Sequence, residues 1–195
     1  MSREGARDQM SPSGALMDTP EAEFNARDYR PINSRDINHL KEMAEQSPRK
    51  RYRFCLHSSH EHFTQEMIIC LHGFNYFQPH RHPIQRSESY HMIEGEMDVY
   101  LFNDTGECLD TITLSASGKR YKEEDTYFMY RLSAPLYHLM IPRSEWTIYH
   151  EVLTGPWDKE TVVEYASFAP SEEDAGEVVS YIARITGSTI EELTK

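Results

Sequence analysis

Between Tyr52 and Phe168 the chain alternates apolar and polar residues with a period of two, in short runs separated by turn-forming residues. The runs are Met67–Leu71, Ser89–Ile93, Met97–Phe102, Glu107–Leu114, Tyr127–Leu132, Leu136–Ile141 and Trp146–Leu153. A period of two places successive side chains on opposite faces of an extended strand. No stretch with a helical period lies between these runs, so βαβ units are excluded. Asn103-Asp104-Thr105-Gly106 has the composition of a hairpin turn between two of them. Many short strands at near-regular spacing predict an all-β antiparallel barrel or sandwich.

The flanks read differently. Residues 1–33 are rich in Ser, Pro, Asp, Glu and Arg without an apolar period, and a disordered segment is expected there. A helix should follow within 34–50, capped by Asn33 or Ser34, with Ile37, Leu40, Met43 and Ala44 on one stripe. It should stop near Ser47-Pro48, because the residue before proline resists the helical region. The basic run Arg49-Lys50-Arg51-Tyr52-Arg53 reads as a solvated linker, or as a local contact for an anionic ligand. The barrel is then expected over 51–169 and helices over 170–195. Ser171-Glu172-Glu173-Asp174 forms a capping pattern there, Val178, Ile182 and Ile185 share one face, and Ser188 with Glu191 caps a last turn.

A formal charge of −12 argues against a nucleic-acid partner, since neutralising phosphates needs a basic surface. The chain has no run of about 18 apolar residues, so no membrane partner is expected. Its first thirty residues lack the apolar stretch of a signal peptide, and a cytoplasmic location is expected. Cys55, Cys70 and Cys108 lack CxxC spacing and read as buried thiols.

The densest chemistry lies in Gly73-Phe74-Asn75-Tyr76-Phe77-Gln78-Pro79-His80-Arg81-His82-Pro83, followed by Glu88 and Gly95. Two histidines at i and i+2 of a strand point to one side, and Glu88 at the start of the next strand adds a hard oxygen donor. One divalent transition metal, Fe, Mn, Ni or Zn, suits such a set. A further ligand should come from elsewhere in the barrel. His138, in Leu136-Tyr137-His138-Leu139-Met140, and His150, in Thr147-Ile148-Tyr149-His150-Glu151, both qualify, and spacing alone does not choose. His60-Glu61-His62 is a second HxH with nothing nearby to complete it, and reads as a loop.

The stretch Gly73–Gly95 resembles the first motif of the cupins, with one extra residue before the first His and one before the Glu. Pro79-His80-Arg81-His82-Pro83, Glu151-Val152-Leu153-Thr154-Gly155-Pro156 and Arg51–His57 more narrowly resemble the WbuC-type cupin metalloproteins. Ser133-Ala134-Pro135-Leu136-Tyr137-His138 fills the place of that family's second motif, with its Pro and Gly displaced. The resemblance implies a double-stranded β-helix (jelly-roll) barrel, assigns the metal to His80, His82, Glu88 and His138, and turns Glu151 inward and His150 outward. It also implies a homodimer and an association with O-antigen or surface-polysaccharide synthesis.

Glu151 is the candidate acid or base, or else the ion-pair partner of Arg53 or Arg131. Arg53, His57, Tyr90 and Arg131 are candidates for the wall of the ligand pocket. No GxSxG elbow, Walker loop or dinucleotide fingerprint occurs. Three functions remain: a metal-dependent protein acting on a sugar-derived or other small polar metabolite, an Fe(II) dioxygenase, and a non-catalytic metal or ligand sensor.

Overall fold

The computed structural model describes residues 21–116 and 126–193. Its elements run β1 (Ala22–Phe24), α1 (Ser34–Gln46), β2 (Arg51–Cys55), β3 (Thr64–His72), β4 (His80–Arg81), β5 (Glu88–Glu94), β6 (Glu96–Phe102) and β7 (Cys108–Ser115). They continue with β8 (Thr126–Tyr127), β9 (Met129–Leu132), β10 (Tyr137–Pro142), β11 (Trp146–Thr154), α2 (Lys159–Val162), β12 (Glu164–Tyr165), α3 (Ala175–Thr186) and α4 (Ile190–Leu193). The strands form two six-stranded sheets, β1-β2-β3-β11-β5-β9 and β12-β4-β10-β6-β7-β8.

The alternation explains how the layers stack. On β3, Met67, Ile69 and Leu71 enter the cluster between the sheets, while Ile68 and Cys70 turn outward. On β6, Met97, Val99 and Leu101 point inward, and Tyr100 and Phe102 point outward. Each outward row is apolar because a helix covers it. Leu40 and Ala44 of α1 lie on Tyr52, Phe54, Ile68, Cys70 and Ile148 of the first sheet. Val178, Tyr181 and Ile182 of α3 cover Tyr100, Phe102, Tyr137, Leu139 and Ile141 of the second. Each fully buried aliphatic side chain there contributes about 1.5–3 kcal/mol, so the terminal helices are integral to both sheets.

Asn33 caps α1: its side chain accepts from the Arg35 N–H, and the Asp36 carboxylate accepts from the Asn33 N–H. The helix ends at Gln46, before Ser47-Pro48. At the β6–β7 hairpin the Asn103 side chain accepts from the Thr105 and Glu107 N–H groups, and Gly106 takes φ 82°. Among the described residues no helix is long and apolar enough to cross a membrane.

Five expectations need correction. The run Tyr127–Leu132 is not one strand: it breaks at Phe128, leaving β8 in the second sheet and β9 in the first. Of the segment 1–33, residues 1–20 lie outside the described residues, but 22–24 form β1, parallel to β2. That stretch is held by pairing with β2, by Ala22 and Phe24 packing on the inner cluster, and by a charge cluster at Glu21. Glu21 is buried, accepts from Arg49 Nε at 2.7 Å and from Ser47 Oγ at 3.1 Å, and lies 3.6 Å from Arg51. Arg49 and Arg51 of the basic run are thereby used by Glu21 and Glu172 rather than by solvent alone. The last helical turn is capped one residue later than expected, with the Glu192 carboxylate accepting from the Thr189 N–H. Cys55 and Cys70 are buried free thiols, whereas Cys108 is exposed on β7.

Candidate metal centre

β4 is two residues long and lies between β10 and β12, with His80 directly opposite His138 on one side and Tyr165 on the other. Directly opposed residues of an antiparallel pair share a face, so His80 and His138 both point between the sheets, on the inward side of Met140. His82, two residues after His80, joins them. One ring nitrogen from each of the three lies within 4.8 Å of the others. Glu88, which opens β5, reaches the same point from the facing sheet. Its carboxylate is 3.0 Å from His138 Nε2 and 3.4 Å from His82 Nε2. His138, Glu88 and His82 are 0, 2 and 7 % exposed.

Each ring is anchored by its other nitrogen. His80 Nδ1 faces the Gln78 carbonyl at 3.1 Å, His82 Nδ1 the Val162 carbonyl at 2.6 Å, and His138 Nδ1 the Leu136 carbonyl at 3.3 Å. An Nδ1–H donated to a carbonyl fixes the tautomer and leaves the Nε2 lone pair for the centre of the cluster. The Tyr90 hydroxyl donates to Glu88 at 2.9 Å, which orients the carboxylate in turn.

His138 Nε2 and Glu88 Oε1 are buried and have no hydrogen-bond partner of good geometry among the described residues. A lone pair facing a carboxylate at 3.0 Å needs a cation between or beside them. Three imidazoles and one carboxylate, with two buried acceptor atoms unsatisfied, therefore fit a divalent transition metal.

The protonation states point the same way. Burial and the neighbouring rings of His138 and His82 pull His80 down to about 3, so it is neutral. Burial would raise Glu88, but His138 and His82 hold it well below the usual carboxylate range. Burial pulls His82 down as well, and the bonded Glu88 carboxylate outweighs it and leaves a net rise.

Glu151 faces inward from β11, opposite Tyr90 and Met67. Burial first, and the Glu88 charge second, push its carboxyl up to about 7. It forms no ion pair within 4 Å with Arg53 or Arg131 among the described residues. His150, next to it, points the other way and holds Glu66 at 3.0 Å on the outer face. Arg53 faces inward. His57 is buried, and its Nδ1 is engaged 3.0 Å from the backbone of Glu66, away from the cluster.

Arg131 does not line the interior. Tyr130 and Leu132 take the inward positions of β9, so Arg131 is turned to solvent, where it donates to Ser87 and Ser133. Sequence reasoning missed the Val162 carbonyl that anchors His82, since a backbone acceptor leaves no mark in residue type. It also missed the cleft of about 540 Å³ outside His82, lined by Arg81, Pro83, Pro135, Glu160 and Glu164.

Residues 32–114 match a family described as a domain of unknown function (DUF6016), over less than half of the chain. No curated protein matches the sequence. Among solved structures the chain is similar to protein SO0799 from Shewanella oneidensis, at 11% identity over 85% of this chain and 99% of that one, with TM-score 0.53. Weaker likenesses, both at TM-score 0.40, are to an uncharacterized conserved protein with a double-stranded β-helix domain from Klebsiella pneumoniae and to oxalate decarboxylase from Bacillus subtilis. The first is 15% identical over 54% of this chain and 73% of that one; the second is 16% identical over 66% and 29%. Identities this low speak to fold alone. The two-sheet topology and the likeness to SO0799 agree with the double-stranded β-helix fold expected from the sequence. None of these matches reproduces the narrower WbuC-type resemblance.

Proposed function

We propose that this chain is a cupin metalloprotein that holds one divalent cation on His80, His82, Glu88 and His138 and acts on a small polar metabolite beside it. The observation that carries the reading is the anchoring: all three Nδ1 atoms are committed to carbonyls while the facing nitrogens converge within 4.8 Å, next to a buried carboxylate. Packing alone gives no reason to aim three lone pairs and an anion at one point. A bound divalent cation supplies Lewis-acid polarisation of an oxygen-bearing ligand.

The chain's own groups do the rest. His80 is neutral and Glu88 ionised near neutral pH, which is the state ligation requires. His82, whose affinity for a proton is raised, must release that proton, so metal affinity should climb with pH through its titration. Glu151 lies inward, makes no side-chain hydrogen bond among the described residues, and is balanced near pH 7, the condition for taking or giving a proton. A cation beside Glu88 would counter that carboxylate's field and draw Glu151 lower. The WbuC-type resemblance supports sugar-derived metabolites of surface-polysaccharide synthesis as the first class to screen.

Elemental analysis of protein purified without chelator tests the reading. About one equivalent of a first-row divalent metal per chain is expected, and equal loading of the His80→Ala/His82→Ala double variant would overturn it.

A further inference from the structure

Across the first sheet, Phe24, Cys55, Met67, Glu151, Tyr90 and Tyr130 stand opposite one another in register, all toward the interior. Arg53, two residues before Cys55, shares that facing. Its side chain makes no hydrogen bond or ion pair among the described residues, and its Nε is buried without a partner. The His60 ring, from the loop between β2 and β3, stands edge-on over Phe24 at 5.1 Å, and both of its nitrogens are likewise buried and unpartnered. The amide nitrogen of the nearby Gln65 is used by the carbonyls of Ser59, His60 and His62. The Arg53 charge is felt at His60, at Cys55 and at Glu151, and Glu151 in turn feels His82 and Glu88. Arg53, Glu151 and, from β5, Glu88 therefore lie on one inward face of the first sheet, between the Arg53–His60 end and the metal cluster.

Native proteins leave few buried polar atoms unpaired, because each costs about 1–3 kcal/mol. Three such atoms on a guanidinium and an imidazole, in one place, include two N–H donors waiting for acceptors, since a neutral imidazole carries one N–H. Water could fill the hydrogen bonds but would leave the guanidinium charge uncountered. Glu151 is an incomplete counter-ion, since burial holds its carboxyl partly protonated at neutral pH. A neutral sugar offers hydroxyls and no charge. Carboxylate is the anion whose planar pair of oxygens matches a guanidinium.

We propose that the ligand of this inner face is a small organic acid, its carboxylate held by Arg53 and His60 and its other polar end presented past Glu151 to the His80–His82–Glu88–His138 cluster. The far end of this assignment rests on the metal-site reading; the carboxylate end does not.

Calorimetric titration of the full chain, both metal-free and loaded with Zn(II), tests it with malonate, succinate and glutarate, with inorganic phosphate as a second anion and glucose as the neutral control. One saturable dicarboxylate site is expected, with none for glucose. Arg53→Gln and His60→Gln should each weaken it by about 10- to 100-fold, Arg53→Lys should retain part of the affinity, and Zn(II) affinity by chelator competition should stay unchanged. Glucose binding as well as the acids, phosphate binding more tightly than every carboxylate, or acid binding indifferent to both variants would overturn the proposal. Arg53-dependent acid binding in a wild-type chain that takes up no Zn(II) would support the carboxylate site while defeating the metal reading. Should Arg53→Gln fail to melt cooperatively, His60→Gln, in a surface-connected loop, decides.

Discussion

Replacing His138 by alanine separates a metal ligand from a packed histidine, and His150→Ala is its built-in control. In the wild-type chain, free Zn(II) at one hundred times its dissociation constant should add about 2.7 kcal/mol of stability. For a chain of this size that is a rise in melting temperature of about 5–11 °C. His138 is wholly buried, opposite His80, with its Nε2 3.0 Å from Glu88. Losing a group that merely orients a ligand weakens metal sites by about 10- to 100-fold, and losing a ligand should cost at least as much. A 100-fold loss at the same Zn(II) concentration leaves about 0.4 kcal/mol of stabilisation, near 1 °C. The metal-free variant should itself melt lower, by an amount worth about 2–4 kcal/mol, because a cavity opens where a wholly buried ring is removed. The metal-induced increment is therefore the readout, not the absolute melting temperature. His150 holds Glu66 on the outer face, so His150→Ala should cost within about 1 kcal/mol and keep the whole increment. A full increment in His138→Ala, or its loss in His150→Ala, refutes the assignment of the second-half strand to the site.

Glu151 holds its proton to about pH 7, against 4.5 for an ordinary glutamate, so the folded state binds more protons than the unfolded one between those values and stability falls as pH rises through that window. Glu151→Gln should thus be neutral near pH 4.5 and stabilising above pH 7, by up to about 3 kcal/mol in the metal-free protein; denaturant melts at pH 5 and 8 that show no difference would count against the inward, buried carboxyl. Gly95 sits at φ 76°, with a Cβ there meeting the Trp146 carbonyl oxygen at 2.0 Å, so Gly95→Ala should cost at least about 1–3 kcal/mol, seen as a drop of several degrees on heating. Glu21→Gln should remove about 1–3 kcal/mol at neutral pH and less as pH falls. Burial would raise the Glu21 carboxyl, but Arg49 and Arg51 hold it lowered, so its contribution is present above about pH 4.5 and lost below; a variant as stable as wild type would show that the 21–24 strand is held by something else. Ile93, Tyr127 and Met129 are exposed around the edge strand β9, and light scattering should give about twice 22.8 kDa if that edge closes a homodimer; a mass of 22.8 kDa at micromolar concentration would refute it.

Most of the barrel could be read from residue order because its inner and outer faces obey one rule. Parity sorts the residues of β3, β6, β10 and β11 into two faces, although both rows of β3 are apolar, and the same parity puts His138 with His80 and sends His150 to the opposite side. The rule fails where a strand is too short to show a period. β1, β4, β8 and β12 are two or three residues long, and none carries enough alternation to be separated from loop. Phe128 interrupts Tyr127–Leu132 without any turn residue to announce that the chain changes sheets there. Arg131 was misplaced for a related reason: its parity is set by Tyr130 and Leu132, and by composition alone an arginine near a metal motif looks like a ligand contact.

The segment before α1 shows a different limit. Glu21 carries no apolar pattern and sits amid polar residues, yet it is buried because Arg49, Arg51 and Ser47 meet it from a part of the chain nearly thirty residues away. Charge complementarity over that distance has no period, so a linear reading sees solvated residues at both ends. The metal cluster combines the two cases. His80 and His82 are local and announce themselves, whereas His138 and Glu88 belong to strands in facing sheets and only parity and topology bring them together. The Nδ1 anchors are less legible still, since Gln78, Leu136 and Val162 contribute carbonyls that any residue could supply. What aims the three rings at one point is therefore backbone placed by the fold, which is why the four residues could be grouped from the sequence while the tautomers that fit them to a metal could not.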